Sequence, residues 1–458
     1  MSNSVTRRDV LKGAGAIGLG AMAGVAPAAQ AHHHGNRRPP NIVIFYIDDL
    51  GYGDLGCYAS PVVRTPNLDG MARRGMRFTH FYSGSPVCTP SRAALLTGCY
   101  APRVNLARVL FPNQPGGISS AERTLPEYLR TVGYTNGMFG KWHLGDPVAN
   151  PAHNPLDHGF DRYFGIPYSN DMNPLHVYDD RDIIETLPDT ASQASLTRRL
   201  AEQAIEFIRA SADGPFFAYI AHPQPHEPLS SEFAGRSRGG PHGDSVEEID
   251  HYVGSVLKEL DRLGVRDNTC VMFTSDNGPW FVGSAGDLYG RKAETYEVGM
   301  RVPFIVEWPD VVPAGAVYEH PAQNVDILPT LAAATGFELA PDRVIDGTNI
   351  LPALRRRNRV VDRGDVFYYD DLAPAGNCNA VRRGPWKLHV HRVNGPYFTG
   401  RGFDQFEELP QLFDLERDPD ESYDLSAHRP EIVDELSARL AEFDAALRAD
   451  HAERYLNA

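Results

Sequence analysis

Two acidic pairs carry the first chemical suggestion in this chain. Asp48 and Asp49 follow the apolar run NIVIFYI, and Asp276 and Asn277 follow TCVMFTS. Three carboxylates and an amide offer oxygen donors alone, the ligand set of a hard divalent cation, and calcium suits it better than zinc. One acidic pair at a strand end is ordinarily a cap or a turn former. Two such pairs at the carboxyl ends of apolar runs sit where open α/β sheets bind ligands. Cations stand at comparable places. GKWHLG and GRKAE set Lys141 and Lys292 in glycine-flanked turns of a lysine-poor chain, although a lysine is by default a surface residue. His143 would share the side of Lys141 if that segment stays extended. His226, in HPQPHEP just past PFFAYIAH, is either an ordinary loop histidine or a proton carrier on a proline-stiffened loop.

The stretch SPVCTPSRAALLTG adds a thiol and a guanidinium, Cys88 and Arg92. Thr89 reads as the cap and Pro90 as a first-turn residue of a helix, which places Cys88 at the positive end, a position that favours an anion. A buried small thiol is the commonest fate of a free cysteine. A thiolate nucleophile is the other conventional reading, with His143 or His226 as its base, but neither segment resembles a cysteine protease site. The remaining cysteines (Cys57, Cys99, Cys270, Cys378) are scattered, with no CxxC pair. They leave room for one disulfide and argue against zinc.

Positioning these groups requires a layered sheet. Continuous apolar runs at 41–48, 136–142, 215–222, 269–277 and 302–309 read as buried parallel strands. Segments 192–211 and 246–264 show apolar residues at helical spacing between them. The fold class expected is α/β, a large mixed, mostly parallel sheet sandwiched by helices. Stretches 99–120 and 145–190 read as long loops of the kind that carries function. After about residue 355 short β-like pieces and a helical stretch, 431–448, indicate a smaller antiparallel subdomain with a helix. The division expected is a catalytic domain at 41–355 and a C-terminal subdomain at 356–458.

The amino terminus reads as targeting. TRRDVLK, then a mild Gly/Ala run, then Ala29-Gln30-Ala31 resembles a twin-arginine signal peptide over 1–31, followed by a flexible leader over 32–40. That implies export through the twin-arginine translocase to a periplasmic or secreted location, with no stable membrane span. A formal charge of −15 over 458 residues excludes a general affinity for nucleic acid. An anionic substrate would need a local cluster of cations.

CTPSR, preceded by IDDLGYGDLGCYAS and TPNLD and followed by GKWHLG, FTSDNG and VGMRVPFIVEWP, resembles the type I sulfatases of the alkaline phosphatase-like superfamily. GIPYSND and GDSVEEID look like the arylsulfatase A and N-acetylgalactosamine-6-sulfatase branch. The resemblance runs from Asn41 to QLFDLERDPDESYDL and implies hydrolysis of a sulfate monoester to an alcohol and inorganic sulfate. It implies that a formylglycine-generating enzyme oxidises Cys88 to formylglycine, with Pro90 and Arg92 completing the motif. One calcium ion would be held by Asp48, Asp49, Asp276, Asn277 and an oxygen of residue 88. Arg92, Lys141, His143, His226 and Lys292 would be catalytic, and Ser169, Lys141, His226 and Lys292 would touch substrate, a sulfated small molecule or carbohydrate. Glu297-Val298-Gly299 departs from the Glu-Gly-Gly of many relatives in a supporting turn. A phosphonate or phosphate monoester hydrolase of the same superfamily would use the same array, and a noncatalytic calcium-stabilised binding protein is the alternative of another class.

Overall fold

The computed structural model describes residues 38–369, 378–390 and 410–456. The expected signal peptide and residues 32–37 of the leader lie outside them. No helix among the described residues is long and apolar enough to cross a membrane.

The chain begins with β1 (Asn41–Ile47), α1 (Pro66–Arg74), β2 (Met76–Phe78), β3 (Phe81–Tyr82), α2 (Cys88–Thr97), α3 (Leu125–Arg130) and β4 (Thr135–Lys141). It continues through β5 (Arg162–Ile166), β6 (Leu175–Asp179), β7 (Asp182–Leu187), α4 (Leu196–Ser211), β8 (Phe216–His222), α5 (Gly240–Arg262) and β9 (Thr269–Ser275). Then come α6 (Glu297–Met300), β10 (Phe304–Glu307), β11 (Ala316–Tyr318), β12 (Ala322–Gln323), α7 (Ile327–Thr335) and α8 (Leu351–Leu354). The last elements are β13 (Val366–Tyr369), β14 (Cys378–Arg383), β15 (Trp386–His389), β16 (Gln411–Asp414) and α9 (Pro430–Tyr455).

Ten strands form one sheet in the order β11-β2-β10-β9-β1-β8-β4-β5-β6-β7. Its centre, β9-β1-β8-β4-β5, is parallel. A central strand is covered on both faces, so β1 is apolar from Ile42 to Ile47 rather than alternating. Ile42, Ile44 and Tyr46 enter one core with residues of α2, α3 and α7. Val43, Phe45 and Ile47 enter the other with residues of α1, α4 and α5. A separate antiparallel sheet, β13-β14-β15-β16, packs against α9 through Val381, Leu388, Leu436 and Leu440.

Three expectations need correction. The run at 302–309 becomes β10, antiparallel to both β9 and β2, because a run buried on both faces has no periodicity that reveals direction. The stretch 145–190 is no loop: it holds β5, β6 and β7, the last two a hairpin turned at Asp180 (φ 54°). β7 is exposed at five of its six positions, and so has little of the apolar pattern that marks a buried strand. Finally, Val87, not Thr89, is the cap of α2, extended and without a side-chain cap bond, and Cys88 is the first helical residue.

Candidate active site

β1 and β9 run side by side with Ile47 opposite Ser275, so both acidic pairs leave the sheet at one edge. Carboxylate oxygens of Asp48, Asp49 and Asp276 lie within 4.8 Å of one another, all three residues buried. Asp49 turns into the left-handed region (φ 60°), and its N–H donates to Asp276 Oδ1 at 3.2 Å.

Cations converge on these carboxylates from three other elements. β4 ends at Lys141, whose Nζ donates to Asp48 Oδ2 at 2.6 Å and to Ser169 Oγ at 3.0 Å. From α2, Arg92 Nη2 donates to Asp276 Oδ2 at 2.6 Å and lies 3.6 Å from Asp48 Oδ1, while Nη1 donates to the Lys141 carbonyl at 2.9 Å. The Tyr46 ring lies beside this guanidinium, 5.5 Å from centroid to Cζ. Lys292 Nζ is 2.8 Å from Asp49 Oδ1. His226 Nε2 is 3.8 Å from Asp49 Oδ2 and 3.5 Å from Ser169 Oγ. Arg92, Lys141, Asp48 and Asp276 are sealed from solvent, whereas the side chains of His226 and Lys292 keep 12% and 13% of their exposure. The cluster therefore opens on the His226 and Lys292 side.

Burial and charge set the protonation states. Burial pushes the Asp48 carboxyl up, but Lys141, His226, Arg92 and Lys292 together hold it well below the usual range. Asp276 is pushed up by burial and by the neighbouring Asp48 charge, against Arg92 and Lys141. Burial would lower the Lys292 ammonium, yet Asp49 holds it above its ordinary value. The Cys88 thiol, buried at the head of α2, is pushed up by burial against the pull of Lys141 and Lys292. A thiol held in its neutral form is poorly suited to the thiolate-nucleophile reading.

The two histidines differ in the nitrogen they leave free. The expectation that His143 extends alongside Lys141 fails, because His143 has φ 57°. Its Nε2 lies 2.9 Å from the Leu110 carbonyl, which can accept but not donate, so Nε2 carries the proton. Nδ1 is buried without a partner and keeps its lone pair. Burial and Lys141 hold this ring well below its usual pKa, hence neutral. In His226, Nδ1 faces the Glu227 carbonyl at 2.5 Å, so Nε2, on the Ser169 and Asp49 side, carries a proton in the imidazolium form. Burial and Lys292 lower this group as well.

The donor set fits a divalent cation. Asp48 Oδ1 and Asn277 Oδ1 are buried without hydrogen-bond partners, since Asn277 spends its amide N–H groups on Asp49 Oδ1 (2.7 Å) and the Gly278 carbonyl (2.9 Å). Three carboxylates against Arg92, Lys141 and Lys292 sum to zero with the histidines neutral. A calcium ion on these oxygens would leave the site positive, as an anionic ester requires.

Every sequence candidate except Cys88 and His143 enters this network of contacts, and those two join it through the charges they feel. Sequence reasoning missed Tyr46 beside Arg92, the Leu110 carbonyl that orients His143, and two buried polar side chains without partners, Ser85 Oγ and both nitrogens of His222. Tyr46, two residues before Asp48, carried the signal of an aromatic at a strand end. Nothing local in the sequence points to Leu110.

A family model described as Sulfatase matches residues 40–337, and one described as the C-terminal region of aryl-sulfatase matches residues 362–455. N-acetylgalactosamine-6-sulfatase of Mus musculus is 38% identical over 452 residues, covering 88% of this chain and 85% of its own length. Arylsulfatase A of Homo sapiens is 37% identical over 455 residues, covering 90% and 89%. Among solved structures, a Bacteroides thetaiotaomicron protein described under the metabolism of multiple glycosaminoglycans superposes with a TM-score of 0.80 at 28% identity, covering 89% of this chain and 100% of its own.

Proposed function

This chain belongs to the sulfatase family and is a sulfuric ester hydrolase, and from that premise we propose that it works through Cys88 oxidised to formylglycine beside one calcium ion per chain. The observation that carries the proposal is the buried arrangement of three carboxylates and three cations around the head of α2, with two oxygens, Asp48 Oδ1 and Asn277 Oδ1, that have no hydrogen-bond partner. Asp48, Asp49, Asp276 and Asn277, with an oxygen of residue 88, would hold the ion, which adds positive charge for the sulfate oxygens. A hydrated aldehyde at position 88 would supply two hydroxyls on one carbon, one as the nucleophile toward sulfur and one whose deprotonation would let the carbonyl re-form and sulfate depart.

The chain's own groups do the rest. Arg92 ties the head of α2 to Asp276 and to the end of β4. Lys141 and Lys292, both paired with carboxylates, present ammonium charge to the equatorial sulfate oxygens. His143 Nδ1, neutral and free, accepts the proton of the second hydroxyl. Lys292, which stays protonated on the open side of the cluster, delivers a proton to the leaving oxygen, and His226 Nε2 shares that task in its imidazolium form. Ser169 Oγ, between Lys141 and His226, orients the ester. The alcohol half then lies outside the seal. A sulfated carbohydrate or other small sulfated molecule is supported by relatives named for an N-acetylgalactosamine sulfate and for aryl sulfates. Maturation by a formylglycine-generating enzyme and export through the twin-arginine translocase complete the proposal, the first motivated by CTPSR and the second by the amino-terminal arginine pair.

Two measurements test it. The tryptic peptide Phe78–Arg92 of active protein should be lighter by about 18 Da than its cysteine form, as exchange of H2S for O requires. An unmodified cysteine in fully active enzyme would overturn the assignment. Turnover of nitrophenyl sulfate should exceed that of nitrophenyl phosphate, and the reverse order would favour a phosphate or phosphonate ester hydrolase.

A further inference from the structure

A second buried charge network lies away from the sulfate site, where the small sheet meets the turn Glu297-Val298-Gly299. Glu297 Oε1 is 3.1 Å from Lys387 Nζ of β15, and its Oε2 accepts from Tyr82 at 2.7 Å and from Arg301 at 3.3 Å. Lys387 Nζ also lies 3.1 Å from Glu421 Oε1, and Glu421 Oε2 accepts the backbone N–H of Glu297 at 2.6 Å. Glu297 and Lys387 are fully buried. A buried pair of this kind adds little net stability over an apolar equivalent, but it enforces one geometry.

That geometry passes to the sulfate site within a few residues. Gly299 lies beneath the carbonyls of Arg291 and Glu294, which flank Lys292, so closely that a Cβ at 299 would overlap the Glu294 oxygen. The Gly299 carbonyl accepts the N–H of Gly278 at 2.9 Å, directly after Asn277. The Val298 N–H donates to Tyr289 at 3.0 Å, holding the other end of the Lys292 loop. Ala293, next in the chain, donates to the Pro86 carbonyl at 2.9 Å, two residues before Cys88. The turn carrying Glu297 is therefore the floor on which the Lys292 loop rests.

We infer that Glu297, clamped by Lys387 of the C-terminal sheet and by Glu421 in the segment that follows it, is a positioning residue that sets Lys292 against Asp49 for the hydrolytic reaction. The inference rests on the role proposed for Lys292. It also gives the C-terminal subdomain a part in catalysis: the clamp is supplied to the main sheet by two residues 95 and 129 positions beyond Lys292, Lys387 and Glu421.

A double-mutant cycle tests it. Glu297→Gln should lower kcat/KM for an aryl sulfate by roughly tenfold or more, chiefly through kcat, and should cost little further in a Lys292→Ala background. In a His226→Ala background its cost should persist. A merely structural fault would reduce all backgrounds alike. If Glu297→Gln does not fold, Gly299→Ala, which crowds the Glu294 carbonyl without touching the charges, and Glu297→Gln with Lys387→Met, which removes one charge of each sign, enter the same cycle. Fully multiplicative losses with Lys292→Ala, or wild-type activity in the folded variants, would overturn the positioning role. An unchanged Lys292→Ala enzyme would instead overturn the role of Lys292 itself, and the inference with it.

Discussion

Replacing Arg92 by lysine keeps the charge and removes the fork. Arg92 spans Asp276 Oδ2 at 2.6 Å and the Lys141 carbonyl at 2.9 Å, with its face beside Tyr46, and is completely buried. A lysine ammonium can satisfy Asp276 or the carbonyl but does not reproduce both bonds in one plane. The loss is then one charge-assisted hydrogen bond at a buried carbonyl, about 1.5–3 kcal/mol. If that loss falls on the transition state, it is roughly a ten- to 150-fold drop in kcat/KM. Because Arg92 belongs to the proposed maturation motif, activity must be divided by the formylglycine content of each preparation, read from the mass of the peptide that contains residue 88. Thermal unfolding in parallel separates a misplaced α2 from an unfolded chain. Near wild-type turnover per converted chain would refute the argument, since it would mean that neither the fork nor the anchoring of α2 to β4 matters to the reaction.

Cys88→Ser should permit at most one sulfuryl transfer per chain and accumulate a stable ester, visible as a mass increase of about 80 Da on that peptide; sustained turnover would refute the need for a second hydroxyl. Asp276→Ala and Asp49→Ala should each weaken calcium binding and lower Tm, and chelator should shift the wild type more than either variant. Equal chelator shifts in all three would remove these residues from the ligand set. Glu248 on α5 lies outside the site, and burial, with Glu232 adding, raises its carboxyl to about 7 from an ordinary 4.5. The folded state thus holds this proton more tightly than the unfolded one, so stability falls as pH rises from about 4.5 to about 7. Glu248→Gln should match the wild type below that window and exceed it by on the order of 2 kcal/mol above it. A difference independent of pH in denaturant midpoints would contradict this.

Much of the site was legible because its residues sit at the ends of apolar strands. NIVIFYI and TCVMFTS announce β1 and β9 by composition alone, and adjacency of parallel strands then forces Asp48-Asp49 and Asp276-Asn277 together. What escaped was whatever depends on backbone handedness or on distant partners. His143 looked like an extended neighbour of Lys141, yet its left-handed turn sends Nε2 to Leu110 and frees Nδ1. β7 escaped because five of its six positions face solvent. The direction of β10 escaped because burial on both faces erases the alternation that would mark it. Glu297 read only as part of a supporting turn, since its partners Lys387 and Glu421 lie far along the chain.

The charge of the whole chain and the charge of the site answer to different distances. At −15 the chain should repel an anionic ester, but at physiological ionic strength surface charges are screened beyond about 8 Å. Inside the seal, Asp48, Asp49 and Asp276 are met one for one by Lys141, Lys292 and Arg92, so the protein alone offers the ester no net attraction. This balance keeps the carboxylates from driving one another neutral, a tendency already visible in Asp276, pushed up by Asp48. It also means that each cation would stay committed to a carboxylate unless a divalent ion, as proposed, took over those oxygens. Calcium would then do two things at once: it would relieve the repulsion felt by Asp276, and it would release Lys141 and Lys292 from Asp48 and Asp49 to face the sulfate. On that argument chelation should raise KM for the ester as well as lower Tm, because the ammonium groups fall back onto their carboxylates; a chelated enzyme that loses stability while keeping its KM would show that the lysines are not released by the ion.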